Sequence, residues 1–455
     1  MKRVLIIGVG IHKNFKDVGI LTNLKKLPYE IFLAVPTNTQ NWTEEFIDAG
    51  HVLRLNFDDL TDCIAKIAVF CENSSPFDAI LTFKEHFVYQ TSVIAQAFNR
   101  IYTPLSSVFK ASNNKLLFRN YYNQIGDDDI IKSDVKVVAG DADKLKISKP
   151  MVIKPLFGSS SCGVQLVTPD TDIKQVITQS KDNIAKKFNT ASERAFLLES
   201  YIPGKAFSID GIIQNKNIHF AGINEYIYGP LPYFVQIGNI IPANITKKQQ
   251  DFCLKSMRKI IKYFGFDNMP FHAEVVLNGN GLYLIEIACR MPGGKISRGY
   301  ELAYGFNFVE QVVNLYLGNP VKFKKTKRNQ VIQKGKHLFY DCDILSLNVP
   351  TTAFDECDFA VVTNVGEHNF YPSQNKPIYF YTVIANSFKD ASHKSENFEK
   401  TIDIRTSNNK GLSANIRVAR EGASVAGDAR KTIGAKTGKP VLTGRNAKSP
   451  KKITK

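Results

Sequence analysis

Over the first 105 residues, short apolar runs alternate with longer stretches that have helical spacing. The apolar runs are RVLIIGV, YEIFLAV and DAILTF, and the clearest helical stretch is EHFVYQTSVIAQAFN. Apolar strands that alternate with helices are typical of an open parallel sheet with helices on its faces. We therefore predict an α/β unit at the start of the chain.

Strand-like runs dominate the middle of the chain. MVIKP and GVQLV flank a loop of small residues, and AFLLESYI, FSIDGII and NIHFAGIN follow a polar stretch. The helical stretch KQQDFCLKSMRKIIKYFGF precedes a hairpin pattern, HAEVVLNGNGLYLIEIA. A second helical stretch ends at Gly318 and Pro320, which are stop signals, and the basic run KFKKTKR after it indicates a boundary. Residues 330–390 are again rich in strand-forming residues.

Length and composition restrict the class of protein. A chain of 455 residues with 44% hydrophobic residues is globular and long enough for several domains of about 100–200 residues each. No apolar run reaches the ~18 residues of a membrane helix, and we interpret the first run as a strand, not a signal peptide. The seven cysteines show no CxxC or CxxH spacing, which disfavours a disulfide framework and a zinc site. We expect a cytoplasmic protein with no membrane partner.

The net charge of +17 is distributed unevenly. From residue 398 to the end there are 14 Lys and Arg against 4 Asp and Glu, so this tail carries +10 of the total. Few large apolar residues occur there, and we expect little core. The folded part of the chain is therefore not predicted to bind nucleic acid, and only the basic tail at 398–455 would do so.

The hairpin pattern places two carboxylates together. If Gly279-Asn280-Gly281 forms the turn, Glu274 lies opposite Glu286 on one face of the sheet. Like charges in that position destabilise a sheet unless a cation or a shared proton relieves the repulsion. Mg²⁺ suits such a pair because it binds through one or two carboxylates plus substrate phosphates. A register slipped by one residue would instead leave both side chains in solvent.

Arg290 follows the second glutamate by four residues, where the chain leaves the strand. A guanidinium in this position can hold a phosphoryl or carboxylate oxygen through two parallel hydrogen bonds. The ordinary alternative is a solvated arginine on a loop. The proximity of Arg290 to the two carboxylates in the sequence favours the first interpretation.

The segment VIKPLFGSSSCGV joins a lysine, Lys154, to a loop of Gly, Ser and Cys residues. The lysine precedes the glycines, so the segment is not a Walker A loop, and the chain lacks the HRD and DFG motifs of protein kinases. Backbone N–H groups and hydroxyls of such a loop can lie over polyphosphate. A mobile turn is the alternative. In a third segment, FLLESYIPGKAFSIDG, the end of a strand could form one side of the pocket for a flat base.

These segments occur in the order VIKPLFGSSSCGV, ESYIPGKAFSIDG and FHAEVVLNGNGLYLIEIACRMPGG, and with them the first 390 residues resemble the ATP-grasp superfamily. The similarity is closest to carboxylate-amine ligases of the L-amino-acid-ligase and carnosine-synthase type. The resemblance implies an α/β and α+β fold. A Rossmann-like domain at 1–105 would precede the two-lobed ATP-grasp fold, with the A lobe at 106–198 and the B lobe at 199–328. A small β-rich domain at 329–397 would follow.

The resemblance also implies roles for individual residues. Contacts with the ATP phosphates are implied for Lys115, Lys154, Gly158, Ser159, Ser160, Ser161 and Gly163. Contacts with the adenine are implied for Glu199, Tyr201 and Ile202. Mg²⁺, or Mn²⁺ in its place, would bind Glu274 and Glu286, and the catalytic residues would be Arg290 and Lys154. Substrate-pocket candidates without a ranking are His12, Tyr226, Tyr233, His272 and Arg298.

Two positions depart from the pattern of many family members. Ala206 stands where a ribose-binding Glu is common, so the contacts with ribose are not defined. Ala288 stands where Asn often follows the second metal-binding Glu, although the amino-acid-ligase branch often has Ala there.

The implied activity is ATP-dependent ligation of a carboxylate, an amino acid or small acid, to an amine. The carboxylate would attack the γ-phosphate to give an acyl-phosphate, and the amine would then displace phosphate. The partners are therefore small molecules, and the sequence leaves a homodimer open. The alternative is an ATP-binding protein without ligase activity, or a nucleic-acid-binding protein that acts through its tail. The tail itself, over residues 415–448, resembles the C-terminal end of DNA-damage-inducible, phage-antirepressor-like proteins.

Overall fold

A computed structural model of the chain describes residues 1–11, 15–40, 43, 46–111, 114–138, 145–156, 161–188, 195–293, 295–349, 358–371 and 376–407. The segment that resembles antirepressor-like proteins lies outside these residues. Within them, no helix is both long enough and apolar enough to cross a bilayer.

The N-terminal region is a four-stranded parallel sheet in the order β3-β2-β1-β4. Its strands are β1 (Arg3–Ile7), β2 (Glu30–Pro36), β3 (Val52–Leu55) and β4 (Ala79–Thr82). Helices α1 (Phe15–Leu24), α2 (Leu60–Glu72) and α3 (Val88–Ala97) connect and follow the strands. Every residue of β1 and β4 is buried, which explains their continuous apolar runs. The predicted parallel sheet is confirmed. Its strand order reverses between β1 and β4, and in such sheets the crevice beyond the strand ends at that point is the usual ligand site.

A short helical region leads out of this sheet through α4 (Leu105–Lys110) and α5 (Lys115–Asn123). The Asn114 side chain accepts a hydrogen bond from the backbone N–H of Leu117 and so caps the start of α5. Lys115 and Arg119 lie four residues apart on one face of α5, and both are buried. Helix α5 thus presents two positive charges to the interior of the protein.

A small antiparallel sheet follows, in the order β5-β8-β6-β7. It comprises β5 (Val135–Val138), β6 (Met151–Pro155), β7 (Gln165–Val167) and β8 (Phe196–Ser200), with α6 (Ile173–Phe188) packed beside it. Lys154 lies near the end of β6, and Glu199 lies near the end of the neighbouring strand β8. This sheet therefore brings the side chains of Lys154 and Glu199 together.

The largest sheet has eight strands in the order β13-β12-β9-β10-β11-β14-β18-β16. Five of its strands are β9 (Lys205–Gln214), β10 (Asn217–Tyr228), β11 (Gln236–Ile241), β12 (Met269–Asn278) and β13 (Gly281–Ala288). The other three are β14 (Gln330–Lys336), β16 (Ala360–Val361) and β18 (Tyr379–Ala385). The helices of this region are α7 (Lys247–Phe264), α8 (Ile296–Tyr304) and α9 (Phe308–Leu317).

The region predicted as a separate β-rich domain contributes to two sheets. Its strands β14, β16 and β18 extend the large sheet. Strand β15 (Cys342–Asn348) instead pairs with β17 (His368–Asn369) and β19 (Asp403–Thr406), and α10 (Phe388–Lys400) packs against β14 and β18. The folded chain thus continues past residue 397, where the sequence interpretation begins the tail. Phe398 is buried with its ring centroid 4.6 Å from that of Tyr381, which anchors this extension.

Candidate active site

The β12–β13 hairpin places Glu274 directly opposite Glu286, as the sequence predicts. The predicted three-residue turn, however, is wrong. Asn278 pairs with Gly281, so the turn contains only Gly279 and Asn280, and a β-bulge between Glu274 and Val275 adds the missing residue. The extra residue on β13 is Ile285, which has no partner across the ladder. The bulge therefore restores the register that brings the two carboxylates together.

The two carboxylates of this pair differ in their surroundings. Burial and the nearby charge of Glu274 raise the pKa of Glu286. Burial acts on Glu274 in the same direction, but hydrogen bonding and charge from His272 outweigh it and lower the pKa of Glu274. The charges of Lys115, Lys154 and Arg290 also act on Glu286. The pair thus lies in a basic surrounding, and the repulsion between the carboxylates is only partly relieved by protein groups.

This donor set fits a hard divalent cation. Two carboxylates face each other across a hairpin, and the Glu274 side chain keeps 25% of its surface exposed. Nowhere in the described part of the chain do three or more His, Cys, Asp or Glu side chains surround one metal position. A site with two protein carboxylates suits Mg²⁺, which takes its remaining ligands from phosphates and water.

Lys154 is buried and pairs with Glu199. Its Nζ lies 2.7 Å from Oε2 of Glu199, and 7% of the lysine side chain and 4% of the glutamate side chain are exposed. Burial would raise the pKa of Glu199, but the charges of Lys154 and Arg119 lower it to about 2. Burial also lowers the pKa of Lys154, against the opposing effect of Glu199. The lysine is therefore held in a fixed position by a carboxylate that stays ionised.

Arg119 is a site residue that sequence reasoning missed. Its Nε donates to Oε1 of Glu199 at 3.1 Å, and its two terminal nitrogens donate to the carbonyl oxygens of Leu284 and Ile285 at 2.8 and 3.0 Å. Its side chain is fully buried. The i, i+4 spacing from Lys115 was a signal in the sequence, but a basic helical residue more often faces solvent.

The three residues predicted to contact the adenine, Glu199, Tyr201 and Ile202, have contacts within the protein. Both carboxylate oxygens of Glu199 already accept bonds, including one of 3.1 Å from the Tyr283 hydroxyl. The N–H of Tyr201 donates to the carbonyl of Pro150 at 3.2 Å, and the Tyr201 ring lies 6.3 Å from that of Phe234. Ile202 packs partly buried against the core between the large sheet and α7. The carboxylate of Glu199 is thus committed to partners within the protein.

Arg290 connects the site to the N-terminal sheet. Its Nε lies 3.2 Å from Oε2 of Glu85, and its Nη1 donates to the carbonyl of Met291 at 3.0 Å. Glu85 follows β4 at the edge where the strand order reverses. The two side chains are 22% and 26% exposed, so this ion pair is partly accessible to solvent. Sequence reasoning missed Glu85 because a single glutamate after a strand carries no motif.

A network of buried polar side chains contacts Glu274. Nδ1 of His272 lies 2.5 Å from Oδ1 of Asp210, and the Tyr300 hydroxyl donates to the other oxygen of Asp210 at 2.6 Å. Burial would lower the pKa of His272, but Asp210 and Glu274 raise it to about 9. The Tyr226 hydroxyl donates to Glu274 at 3.2 Å. Two of the unranked candidates, His272 and Tyr226, are therefore brought to the carboxylate pair.

The remaining predicted residues are placed only in part. Gly158, Ser159, Ser160 and His12 lie outside the described residues. Ser161 and Gly163 have φ of 52° and 73°, in the left-handed region, at the end of the loop that follows Lys154. A Cβ on Gly163 would come within 3.1 Å of Ile184, so a larger residue would be strained there. Arg298 pairs with Glu301 on its own helix at 2.8 Å.

Part of the chain is similar to a known protein family. Residues 147–298 match the family model described as an ATP-grasp domain. An ATP-grasp enzyme of Aspergillus fumigatus is 24% identical over 279 residues, which cover 59% of this chain and 46% of that protein. The alanine–anticapsin ligase of Bacillus subtilis strain 168 is 23% identical over 258 residues, covering 52% of this chain and 53% of the ligase. The chain thus spans about half the length of the curated relatives it matches.

The fold is similar to that of a solved ligase. The crystal structure of an L-amino acid ligase from Bacillus licheniformis superposes with a TM-score of 0.72 at 17% identity, covering 90% of this chain and 99% of that chain. The matched family segment begins just before β6 and ends within α8, so it contains Lys154, Glu199, both hairpin glutamates and Arg290. This segment of the chain is thus similar to the ATP-grasp domain family.

Proposed function

We propose that this protein is an ATP-dependent ligase that joins a carboxylate, an amino acid or small acid, to an amine. The observation that carries the proposal is the opposition of Glu274 and Glu286 in a site that also receives Lys115, Lys154 and Arg290. Two carboxylates ringed by three cations match MgATP, which combines a divalent cation with a polyanion. The similarity to the alanine–anticapsin ligase supports an amino acid as the acid.

The first step would transfer the γ-phosphoryl group. A carboxylate oxygen of the substrate forms a bond to the γ-phosphorus, the bond to the bridging oxygen breaks, and ADP leaves. Lys154 and Lys115 would bind phosphoryl oxygens, and Arg290 would hold the transferred group or the acyl-phosphate. When bound to Glu274 and Glu286, Mg²⁺ would supply positive charge that offsets the negative charge on the phosphoryl oxygens.

The second step would form the amide bond. The amine nitrogen attacks the acyl carbon, the carbon–oxygen bond to phosphate breaks, and the amine gives up a proton as phosphate leaves. Neither step uses a nucleophilic side chain of the protein. The crevice beside Glu85 and Arg290, at the reversal point of the N-terminal sheet, is the place where we expect the substrate carboxylate to enter. A cytoplasmic location, a homodimer and the use of Mn²⁺ stay predictions.

A substrate screen tests this function. Purified protein with MgATP is offered pairs of amino acids, small acids and amines, and release of ADP and phosphate is measured together with the mass of the product. We expect ADP release that requires both substrates and equals the amount of amide formed. Tight ATP binding without ADP release from a broad panel would instead indicate a nucleotide-binding protein that lacks ligase activity.

A further inference from the structure

Arg119 is the largest fully buried side chain in the described part of the chain. It emerges from α5, one turn after Lys115, and reaches acceptors on two different sheets. On the small sheet it binds both oxygens of Glu199, at 3.1 and 3.4 Å. On the large sheet it donates to the carbonyls of Leu284 and Ile285. One guanidinium thus joins the two sheets between which the candidate site lies.

The acceptors on the large sheet belong to the bulge of β13. Ile285 is the extra residue of that bulge and immediately precedes Glu286. A bulged residue leaves the ladder, and its carbonyl then needs another donor. Arg119 supplies that donor, so the backbone next to Glu286 is held by the same side chain that holds Glu199.

The acceptor on the small sheet leads directly to Lys154. Oε2 of Glu199 lies 2.7 Å from Nζ of Lys154, Arg119 binds both oxygens of Glu199, and Tyr283 adds a third contact. The chain of contacts therefore runs from Lys154 through Glu199 and Arg119 to the bulge and then to Glu286. Every side chain along this path, from Lys154 to Arg119, is at least nine-tenths buried.

We propose that Arg119 is a positioning residue that fixes Lys154 relative to Glu286. The identity of the ligands at these two residues, a phosphate and Mg²⁺, rests on the proposed function. Arg119 itself touches neither ligand. Its planar guanidinium satisfies acceptors on both sheets at once, which a lysine ammonium cannot do with the same geometry. Loss of this link would let the phosphate-binding lysine and the metal-binding carboxylate move independently.

The consequence is a coupling between two binding events. When the link is intact, Mg²⁺ at the carboxylate pair and a triphosphate at Lys154 strengthen each other's binding. The test measures the affinity of the full-length protein for a non-hydrolysable ATP analogue, adenylyl imidodiphosphate, at a series of Mg²⁺ concentrations. A residue with a purely structural role would change stability but leave the dependence of affinity on Mg²⁺ unchanged.

In Arg119→Lys we expect the enhancement of analogue affinity by Mg²⁺ to fall about 10-fold. We also expect kcat for ADP formation to fall about 100-fold. Tyr381→Phe is the matched control, because Tyr381 is also buried and hydrogen-bonded, to Ser395 and Glu399, but belongs to the C-terminal region. This control should lose stability and keep the wild-type dependence on Mg²⁺.

A milder variant covers the case in which Arg119→Lys does not fold. Tyr283→Phe removes only the bond from the tyrosine hydroxyl to Glu199 and should reduce the enhancement by Mg²⁺ about threefold. A folded Arg119→Lys with an unchanged Mg²⁺ dependence, or an unchanged dependence in Tyr283→Phe when the lysine variant is unfolded, would overturn the proposal. Wild-type protein that binds the analogue but forms no ADP would contradict the ligase function alone, because the binding measurement still decides the role of Arg119.

Discussion

Two buried carboxylate sites lie side by side in this molecule, and their charges are balanced differently. Glu199 has Lys154, Arg119 and a tyrosine hydroxyl, and its pKa is lowered to about 2. Glu286 faces another carboxylate, and its pKa is raised by burial and by that neighbour. The first site is complete within the protein. The second holds two like charges directly opposite each other, although the charges of Lys115, Lys154 and Arg290 also act on it, and such a carboxylate pair is typical of a place where a cation binds. Internal compensation thus separates a supporting carboxylate from the one that we propose binds a metal ion.

The largest expected effect comes from Glu286, whose pKa is raised by burial and by the charge of Glu274. Glu286→Gln should lower the rate of ADP formation by at least about 1,000-fold, because the charge that holds Mg²⁺ against the phosphates is removed. Steady-state assays with the acid and amine found by screening measure this. Glu367→Gln, in which a surface glutamate loses its partner Lys376, is the control and should keep full activity. Turnover of Glu286→Gln near the wild-type rate would remove Glu286 from the metal site.

The second largest effect concerns the compensated site. Glu199→Gln leaves Lys154 and Arg119 without a buried counter-charge and should lower the free energy of unfolding at neutral pH by about 3 kcal/mol. Urea denaturation followed by circular dichroism measures the change. A loss no greater than that of Glu367→Gln would show that Glu199 does not stabilise the fold.

The difference in the free energy of unfolding between wild-type protein and Glu199→Gln should depend on pH. The folded-state pKa of Glu199, about 2, lies below the unfolded value of about 4.3, so its contribution is complete above the unfolded value. This contribution of Glu199 to stability should decline as the pH falls from the unfolded-state pKa to the folded-state pKa. The stability of wild-type protein and of Glu199→Gln should therefore converge between about pH 4 and pH 2.

Substitution of the other carboxylate, Glu286, should change the stability in the opposite direction. The folded-state pKa of Glu286 is raised, so ionisation of this group becomes a cost as the pH rises above its unfolded value. In the absence of Mg²⁺, Glu286→Gln should therefore be more stable than wild type at neutral pH, by up to about 1 kcal/mol. Thermal unfolding in EDTA measures this difference, and it should shrink or reverse when Mg²⁺ and the ATP analogue are present. A destabilised variant in EDTA would contradict the assigned repulsion between Glu274 and Glu286.

The smallest effect is expected at the ion pair with the N-terminal sheet. Glu85→Gln weakens the hold on Arg290, and because the pair is partly exposed we expect about a fivefold loss in kcat/KM. Measuring kcat and KM for the acid separately locates the change. A loss confined to the KM for ATP would instead connect Glu85 to the nucleotide.

The sequence predicts local patterns well and connections between distant elements poorly. The parallel strands and the hairpin with opposed glutamates follow from periodicity, and both are confirmed. The bulge at Ile285 does not follow from it, because a bulge depends on a donor that arrives from α5, more than 160 residues earlier in the chain. The same holds for Glu85, which meets Arg290 only after the N-terminal sheet packs against the rest.

The compensation of Glu199 also could not be predicted from the sequence. The motif places Glu199 near a base, but only the structure brings Arg119 and Tyr283 to its carboxylate. Similarly, β14, β16 and β18 carry ordinary strand patterns, and nothing in them indicates that they extend the large sheet. Pairing partners are set by tertiary packing, and a strand pattern contains no information about which edge it will join.

The bulge in β13 has the same effect on the strand register as one additional residue in the hairpin turn. A turn longer by one residue, with the bulge removed, would still set Glu274 opposite Glu286, since the two changes cancel in the register. Such a redesigned hairpin would keep both proposed metal ligands and yet present no displaced carbonyl to Arg119. Engineering of this loop can therefore preserve the visible ligands while disconnecting them from the lysine on the other side of the site.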